Sequence, residues 1–546
     1  MTHDHLSETH GPTSPMPTII DFPAAAGLVR DGDRVLVGGS GGGHAVPEAF
    51  IDALAARFRT TGTPRDLTLM SVVAIGDWAE TGFNKLAFPG LLRRVITAGL
   101  NNCPKIGELA RRDLVEAYTL PQGVLSQLCR DMAAGRPGLL TRTGLHTFVD
   151  PRQGGGKQSP RTTEDLVEVV TLHGEEYLFY RAQPVDLAVI RGTTADERGN
   201  VTMEEEAYHG EQLSVAAAAH NQGGLVVCQV KRLAAGGTLP GKLVKVPGAL
   251  VDYLVVDPDQ RQTYLAALDP AYAGLLRRPE AELPVLPFDI RKAIARRAAL
   301  ELFPGAVVNL GFGMSNGIAG VAAEEGFYRD VTLTVEQGIV GGVPAAGPDA
   351  GAGYNYDAMV DQPYQFDFYD GGGLDVACLS FAEVDAHGNV NVSRFGDVIN
   401  GPGGFVNISQ GARKVVFSGT LTAGGLDVQP DGRGGVHLVR EGRVRKWVPA
   451  VEQVTFSGRY ALARGQAVMY VTDRAVFRLT PTGLELTEVA AGVDVDRDVL
   501  EQIGFPVRVS PDLSPMDPRL FRDEPMRWLA EFRAKATARA RRPQRP

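Results

Sequence analysis

Apolar and polar positions along this chain fall into short β-branched runs, glycine loops and amphipathic stretches. Arg34-Val-Leu-Val37 predicts a strand, and Gly38-Gly-Ser40-Gly-Gly-Gly43 stops it. Phe50, Leu54 and Phe58 recur every four residues, which predicts a helix over 47–57 with Pro47 in its first turn. A second strand is expected over 66–73. Strands alternating with helices predict an α/β domain with a mainly parallel sheet.

The second half repeats the pattern. Gly305-Ala-Val-Val-Asn-Leu-Gly-Phe-Gly313 leads into an expected helix near 318–325, and 329–335 echoes 65–71. Asp186, Gly199, Asn200 and Val226 recur at one constant offset as Asp375, Gly388, Asn389 and Val415. Two related α/β domains are therefore expected. Val331-Thr-Leu-Thr-Val335 predicts a strand, and Gly338, Gly341 and Gly342 end it. Glu336 is left at the carboxyl end of that strand, where open α/β sheets bind ligands. The corresponding position in the first half is Val72, so only the second half carries the carboxylate.

The expected organisation is a disordered tail (1–18), a first domain (19–278), a proline-rich linker (279–288), a second domain (289–510) and a C-terminal extension with a basic tail (511–546). Asp289 is expected to cap a helix through Leu302, and 525–539 reads as helical.

Composition narrows the function. A net charge of −9 argues against nucleic acid or an anionic membrane as partner. No apolar run is long enough to span a bilayer, and the N-terminus does not read as a secretory signal. The four cysteines are far apart in sequence, which suits a reduced, cytoplasmic protein. The histidines show no metal-ligand spacing, so no metal site is expected.

Several motifs carry partial signals. Gly236-Gly-Thr-Leu-Pro-Gly241-Lys242-Leu243 approaches a P-loop, but Leu243 cannot hold magnesium and the stretch reads as a turn. Gly38-Gly-Ser40-Gly-Gly42 fits a nucleophile-elbow spacing, yet its glycines suit a backbone cradle better. Leu120 to Val124, Asp361 to Gly373 and Asn400 to Asn407 are unlike packing sequence. In the last, successive backbone N–H groups could hold an oxyanion.

Together these pieces resemble the family I coenzyme A transferases, in particular the single-chain acetate, propionate and 3-ketoacid group. The resemblance rests on Thr334-Val-Glu336-Gln-Gly338, Gln365-Phe-Asp-Phe-Tyr-Asp-Gly-Gly-Gly373, Gly388-Asn-Val-Asn-Val392 and Gly401-Pro-Gly-Gly-Phe405. In the first half it rests on Pro121-Gln-Gly123, Thr147-Phe-Val-Asp-Pro-Arg152 and Arg191-Gly-Thr-Thr-Ala-Asp-Glu197. It implies two tandem, duplicated CoA-transferase-type α/β domains with the site between them. Glu336 would be the covalent nucleophile. Gln122, Gly401, Gly403, Gly404 and Phe405 would hold the oxyanion and coenzyme A. Gly39, Ser40 and Gly41 would line a small carboxylate pocket. Coenzyme A is then a substrate and no permanent cofactor is expected. The partners would be acyl-CoA and small carboxylic acids, and the protein a homo-oligomer. The alternatives are an acyl-CoA hydrolase using the same glutamate, or a non-enzymatic small-ligand sensor.

Overall fold

The computed structural model describes residues 16–535 except 280, 281 and 284. Most of the expected N-terminal tail, the basic C-terminal tail and part of the proline-rich linker lie outside the described residues.

Each half is built on a parallel sheet. The first sheet has eight strands, in the order Thr18–Ile19, Tyr253–Val256, Leu225–Val230, Leu187–Arg191, Arg34–Val37, Leu67–Ser71, Leu92–Thr97 and Glu116–Thr119. Every pair in it is parallel. The second sheet has ten strands and repeats the central five in the same order: Ala467–Val471, Lys414–Ser418, Val376–Ser380, Val307–Leu310 and Thr332–Val335. These too are parallel, and antiparallel strands extend both ends. Leu187–Arg191 is buried along its whole length, as expected of a strand covered on both faces.

The repeat extends to side-chain hydrogen bonds. Asp186 accepts the backbone N–H of Arg34, and Asp375 accepts that of Val307, each tying a central strand to its neighbour. Asp196 accepts the N–H of Arg198 and Asn200, while Asp385 accepts those of His387 and Asn389. These local turns survive in both halves because a short carboxylate satisfies its own loop's donors.

The expected helices form close to where the pattern places them. Glu48–Thr61 buries Phe50, Ile51, Leu54 and Ala55. Ile290–Ala299 begins after Asp289, whose side chain accepts the Lys292 N–H. The stretch 361–373 differs from expectation. It forms the helix Gln362–Asp370 and buries Phe366 and Tyr369, three residues apart on one face, while Tyr364 and Phe368 stay exposed. The strand Arg508–Pro515 joins the edge of the second sheet across residue 510. The extension beyond it packs Trp528 and Phe532 against Phe327. Within the expected 525–539 helix, Leu529–Ala534 is helical, and 536–539 lie outside the described residues.

The halves meet through polar groups. Helix Gln122–Ala133 packs on Gln362–Asp370 and Phe405–Gly411. Half-buried Asp370 accepts hydrogen bonds from Gln127 and Asn407, and desolvation pushes its pKa up to about 6. Asn407 Oδ1 accepts the Gly123 N–H at 3.0 Å. A Cβ on Gly123 would lie 2.4 Å from Asn407 Nδ2 and from the Phe366 ring, so the interface closes only over glycine here. Gly123→Ala should therefore destabilise the protein by ~1–3 kcal/mol through overpacking. Thermal unfolding checks this, and an unchanged midpoint would contradict it.

Candidate active site

The carboxyl ends of both sheets open onto one cleft of about 700 Å³. Ser40, Gly41 and Gln122 reach it from the first half, and Glu336, Gly404 and Phe405 from the second. Sequence and topology explain the convergence. Arg34–Val37 corresponds to Val307–Leu310 and Leu67–Ser71 to Thr332–Val335 in the duplicated sheets, so the loops that follow these strands arrive at matching ends.

Glu336 follows its strand directly and is partly exposed on the cleft wall. The strand behind it is pinned. Tyr369 donates to Thr334 Oγ1 at 2.8 Å, and Gln365 donates to the Tyr369 hydroxyl at 2.9 Å. Asn309 donates to the Thr334 carbonyl at 3.3 Å. Desolvation raises the Glu336 pKa above its ordinary 4.5, while its own backbone N–H and the side chains of Asn309 and Gln337 act the other way. The ionised carboxylate is therefore less stabilised than one in water.

The loop 400–405 lies against Glu336. A Cβ on Gly404 would sit 3.3 Å from Glu336 Cγ and 3.5 Å from Oε1. Gly401 adopts φ 80°, and its missing Cβ lets it approach Gly99 of the first half. The loop's amides are not equivalent. The Gly401 N–H donates to the Ser393 carbonyl, that of Gly403 to Ala98, and that of Phe405 to Pro402. Among the described residues the Gly404 N–H has no hydrogen-bond acceptor. Of this loop's amides, that of Gly404 is thus the one left free among the described residues, while Gly401, Gly403 and Phe405 line the cleft with their amides engaged.

Gln122 is the first residue of its helix and is 2% exposed. Its backbone N–H donates to the Gly403 carbonyl at 2.9 Å, which locks it to the glycine loop. Its side-chain Nε2 is buried and finds no protein acceptor. Leaving such a donor unpaired costs ~1–3 kcal/mol, so the position suits a group completed by ligand or water.

Ser40 and Gly41 line the cleft, as does Gly42, but Gly39 does not. Its N–H turns back to Glu211 Oε1 at 3.3 Å, and a Cβ there would strike Ala45 and Val46. Gly39 is a packing residue, because the first turn after the strand points into the fold rather than the cleft. The Gly236–Leu243 stretch is a loop without a helix after it, as expected of a turn. Among the described residues no group of His, Cys, Asp or Glu could hold a metal, and no helix is long and apolar enough to cross a membrane.

Sequence reasoning missed Asn309, Gln337, Trp78 and Phe312. Asn309 had a signal, being one polar residue inside the apolar strand Val307–Leu310. Gln337 had only its adjacency to Glu336. The two aromatics come from separate halves and had none.

The chain is thus a duplicated α/β protein with a lone carboxylate in the cleft between its halves. The family model "Coenzyme A transferase" matches residues 22–257. Caffeate CoA-transferase of Acetobacterium woodii is 45% identical over 518 residues, covering 93% of this chain and 98% of that protein. Acetate CoA-transferase YdiF of Escherichia coli K12 is 44% identical, covering 94% of this chain and 96% of that protein. The crystal structure of the YdiF acyl-CoA transferase of E. coli O157:H7 as a thioester complex with CoA superposes with a TM-score of 0.89, at 43% identity, over 94% of this chain and 97% of that one. The chain belongs to the coenzyme A transferase family. Within it, the chain is one of the single-chain family I enzymes.

Proposed function

We propose that this enzyme moves coenzyme A from an acyl-CoA to a free carboxylic acid, with Glu336 as the covalent carrier. The observation that carries this reading is that Glu336 lies against Gly404, whose N–H has no protein acceptor among the described residues, in a cleft also lined by Gln122 with its unpaired Nε2.

A Glu336 carboxylate oxygen attacks the thioester carbon. The carbon–sulfur bond breaks, coenzyme A leaves as thiolate, and an acyl-glutamyl anhydride remains. The thiolate then attacks the glutamyl carbonyl carbon. The bond to the acyl oxygen breaks, the first acid departs as carboxylate, and a glutamyl-CoA thioester is left. A second acid runs the same steps in reverse. Each addition places negative charge on a carbonyl oxygen, and the Gly404 N–H and Gln122 Nε2, both without a protein acceptor among the described residues, would be the donors that receive it. Thioester energy is conserved throughout. Closure between two halves keeps water from the anhydride.

Relatives named for acetate and for caffeate span small and aromatic acids, so the acceptor of this chain is set by its own pocket. Ser40, Gly41 and Gly42, three small residues of its lining, suit a short carboxylate. A homo-oligomeric, cytoplasmic enzyme completes the reading, supported by family membership.

The raised Glu336 pKa has a kinetic consequence. The nucleophile must be ionised, so the rate is full above its pKa and falls as pH drops through it. The half-reaction with acyl-CoA alone avoids titrating a free acid substrate. Its kcat/KM should show an acid-side inflection above 4.5. An inflection at or below that value would contradict the desolvated carboxylate.

A further inference from the structure

Two aromatic rings face each other in the cleft from opposite halves. Trp78 is 39% exposed and Phe312 is 62% exposed. Both line the cleft that holds Glu336. Their ring centroids are 6.5 Å apart and their planes differ by 21°.

Neither ring is there by default. Trp78 has φ 67°, a left-handed conformation that bulky residues rarely adopt. Its N–H is held by the Asn102 carbonyl at 3.0 Å. The next turn is fixed by Asp77, whose Oδ1 accepts the N–H groups of Ala79, Glu80 and Thr81. Phe312 is fixed as firmly. Ser380 Oγ donates to its carbonyl and accepts the Met314 N–H, both at 3.1 Å. Two rigid backbones thus present two exposed apolar rings to the cleft. Strain of this kind concentrates at ligand clamps.

The spacing suggests what they hold. A planar group stacked on both faces needs ~7 Å between the flanking rings, two contacts of ~3.5 Å each. The two ring centroids stand 6.5 Å apart with planes 21° from parallel, so the rings lie close enough for one planar group to contact both. The described residues lining the cleft include no lysine or arginine, so stacking rather than ion pairing recognises ligand here.

We propose that Trp78 and Phe312 form a clasp that sandwiches a planar ring of the substrate. Two sources carry that chemistry in the proposed reaction: the adenine of coenzyme A, and an aromatic carboxylic acid. The inference rests on the CoA-transfer reading for the choice of those ligands.

The protein carries its own reporter. Of its three tryptophans, Trp447 and Trp528 are fully buried, which leaves Trp78 as the one open to solvent. Acrylamide quenching of intrinsic fluorescence is measured with coenzyme A, pantetheine, 3-phenylpropenoate and acetate. Protection of Trp78 by coenzyme A but not pantetheine assigns the ring to adenine. Protection by 3-phenylpropenoate but not acetate assigns it to an aromatic acid. In either case Phe312→Ala should weaken binding of the protecting ligand ~10-fold, and Phe312→Tyr should restore it. Quenching that no ring-bearing ligand changes, or Phe312→Ala affinity equal to wild type, overturns the clasp in favour of a fixed contact between the halves. Wild-type turnover of acetyl-CoA with acid is measured alongside. Its absence would count against the proposed reaction, while the quenching result would still decide the clasp.

Discussion

Glu336→Gln removes CoA transfer, with kcat falling by ~10⁴-fold or more, while the protein stays folded. The amide keeps the shape of the side chain but cannot form the anhydride or the thioester. Folding survives because Glu336 forms none of the ion pairs found among the described residues, and its strand is held by Thr334, Tyr369 and Asn309. Steady-state kinetics with an acyl-CoA and an acceptor acid give the rate, and circular dichroism with thermal unfolding gives the fold. Transfer near the wild-type rate would place the chemistry elsewhere.

The second large effect falls on Gln122. Gln122→Leu should lower kcat ~10²–10³-fold, the usual loss for one oxyanion donor. The substitution leaves the backbone N–H to Gly403 in place, so the glycine loop keeps its position. It also removes a buried Nε2 that has no protein acceptor, so thermal stability should hold or rise. Separate measurement of kcat and of KM for acyl-CoA distinguishes the donor role from simple binding. A rise in KM with kcat unchanged would make Gln122 a ground-state contact only.

Much of this architecture is written locally. The β-branched runs before Gly38 and Gly338 specify strands, and the constant offset that relates Asp186, Gly199, Asn200 and Val226 to Asp375, Gly388, Asn389 and Val415 exposes the duplication. The glycines after Val335 put Glu336 at a strand end, but position alone is a weak signal there, and the role proposed for it comes from the resemblance of Thr334-Val-Glu336-Gln-Gly338 to the family. Other features depend on residues far away in sequence. Gly401, Gly403 and Gly404 look alike in the chain, yet Ser393 and Ala98 consume two of the amides and leave that of Gly404. Gly39 and Gly41 also look alike, and only the turn geometry sends one to Glu211 and the other to the cleft. The helix Gln362–Asp370 was obscured because exposed Tyr364 and Phe368 sit beside buried Phe366 and Tyr369. Its apolar face becomes evident only against Gln122–Ala133, where the halves dock.

The most direct test is mass spectrometry of the protein incubated with acyl-CoA and no acceptor, followed by borohydride reduction and peptide mapping. Borohydride converts a glutamyl thioester to an alcohol and marks the residue permanently. The account predicts a CoA adduct on the intact protein and the reduced side chain at Glu336. A mark on another residue, or steady release of free coenzyme A with no adduct, would contradict it, the latter in favour of hydrolysis.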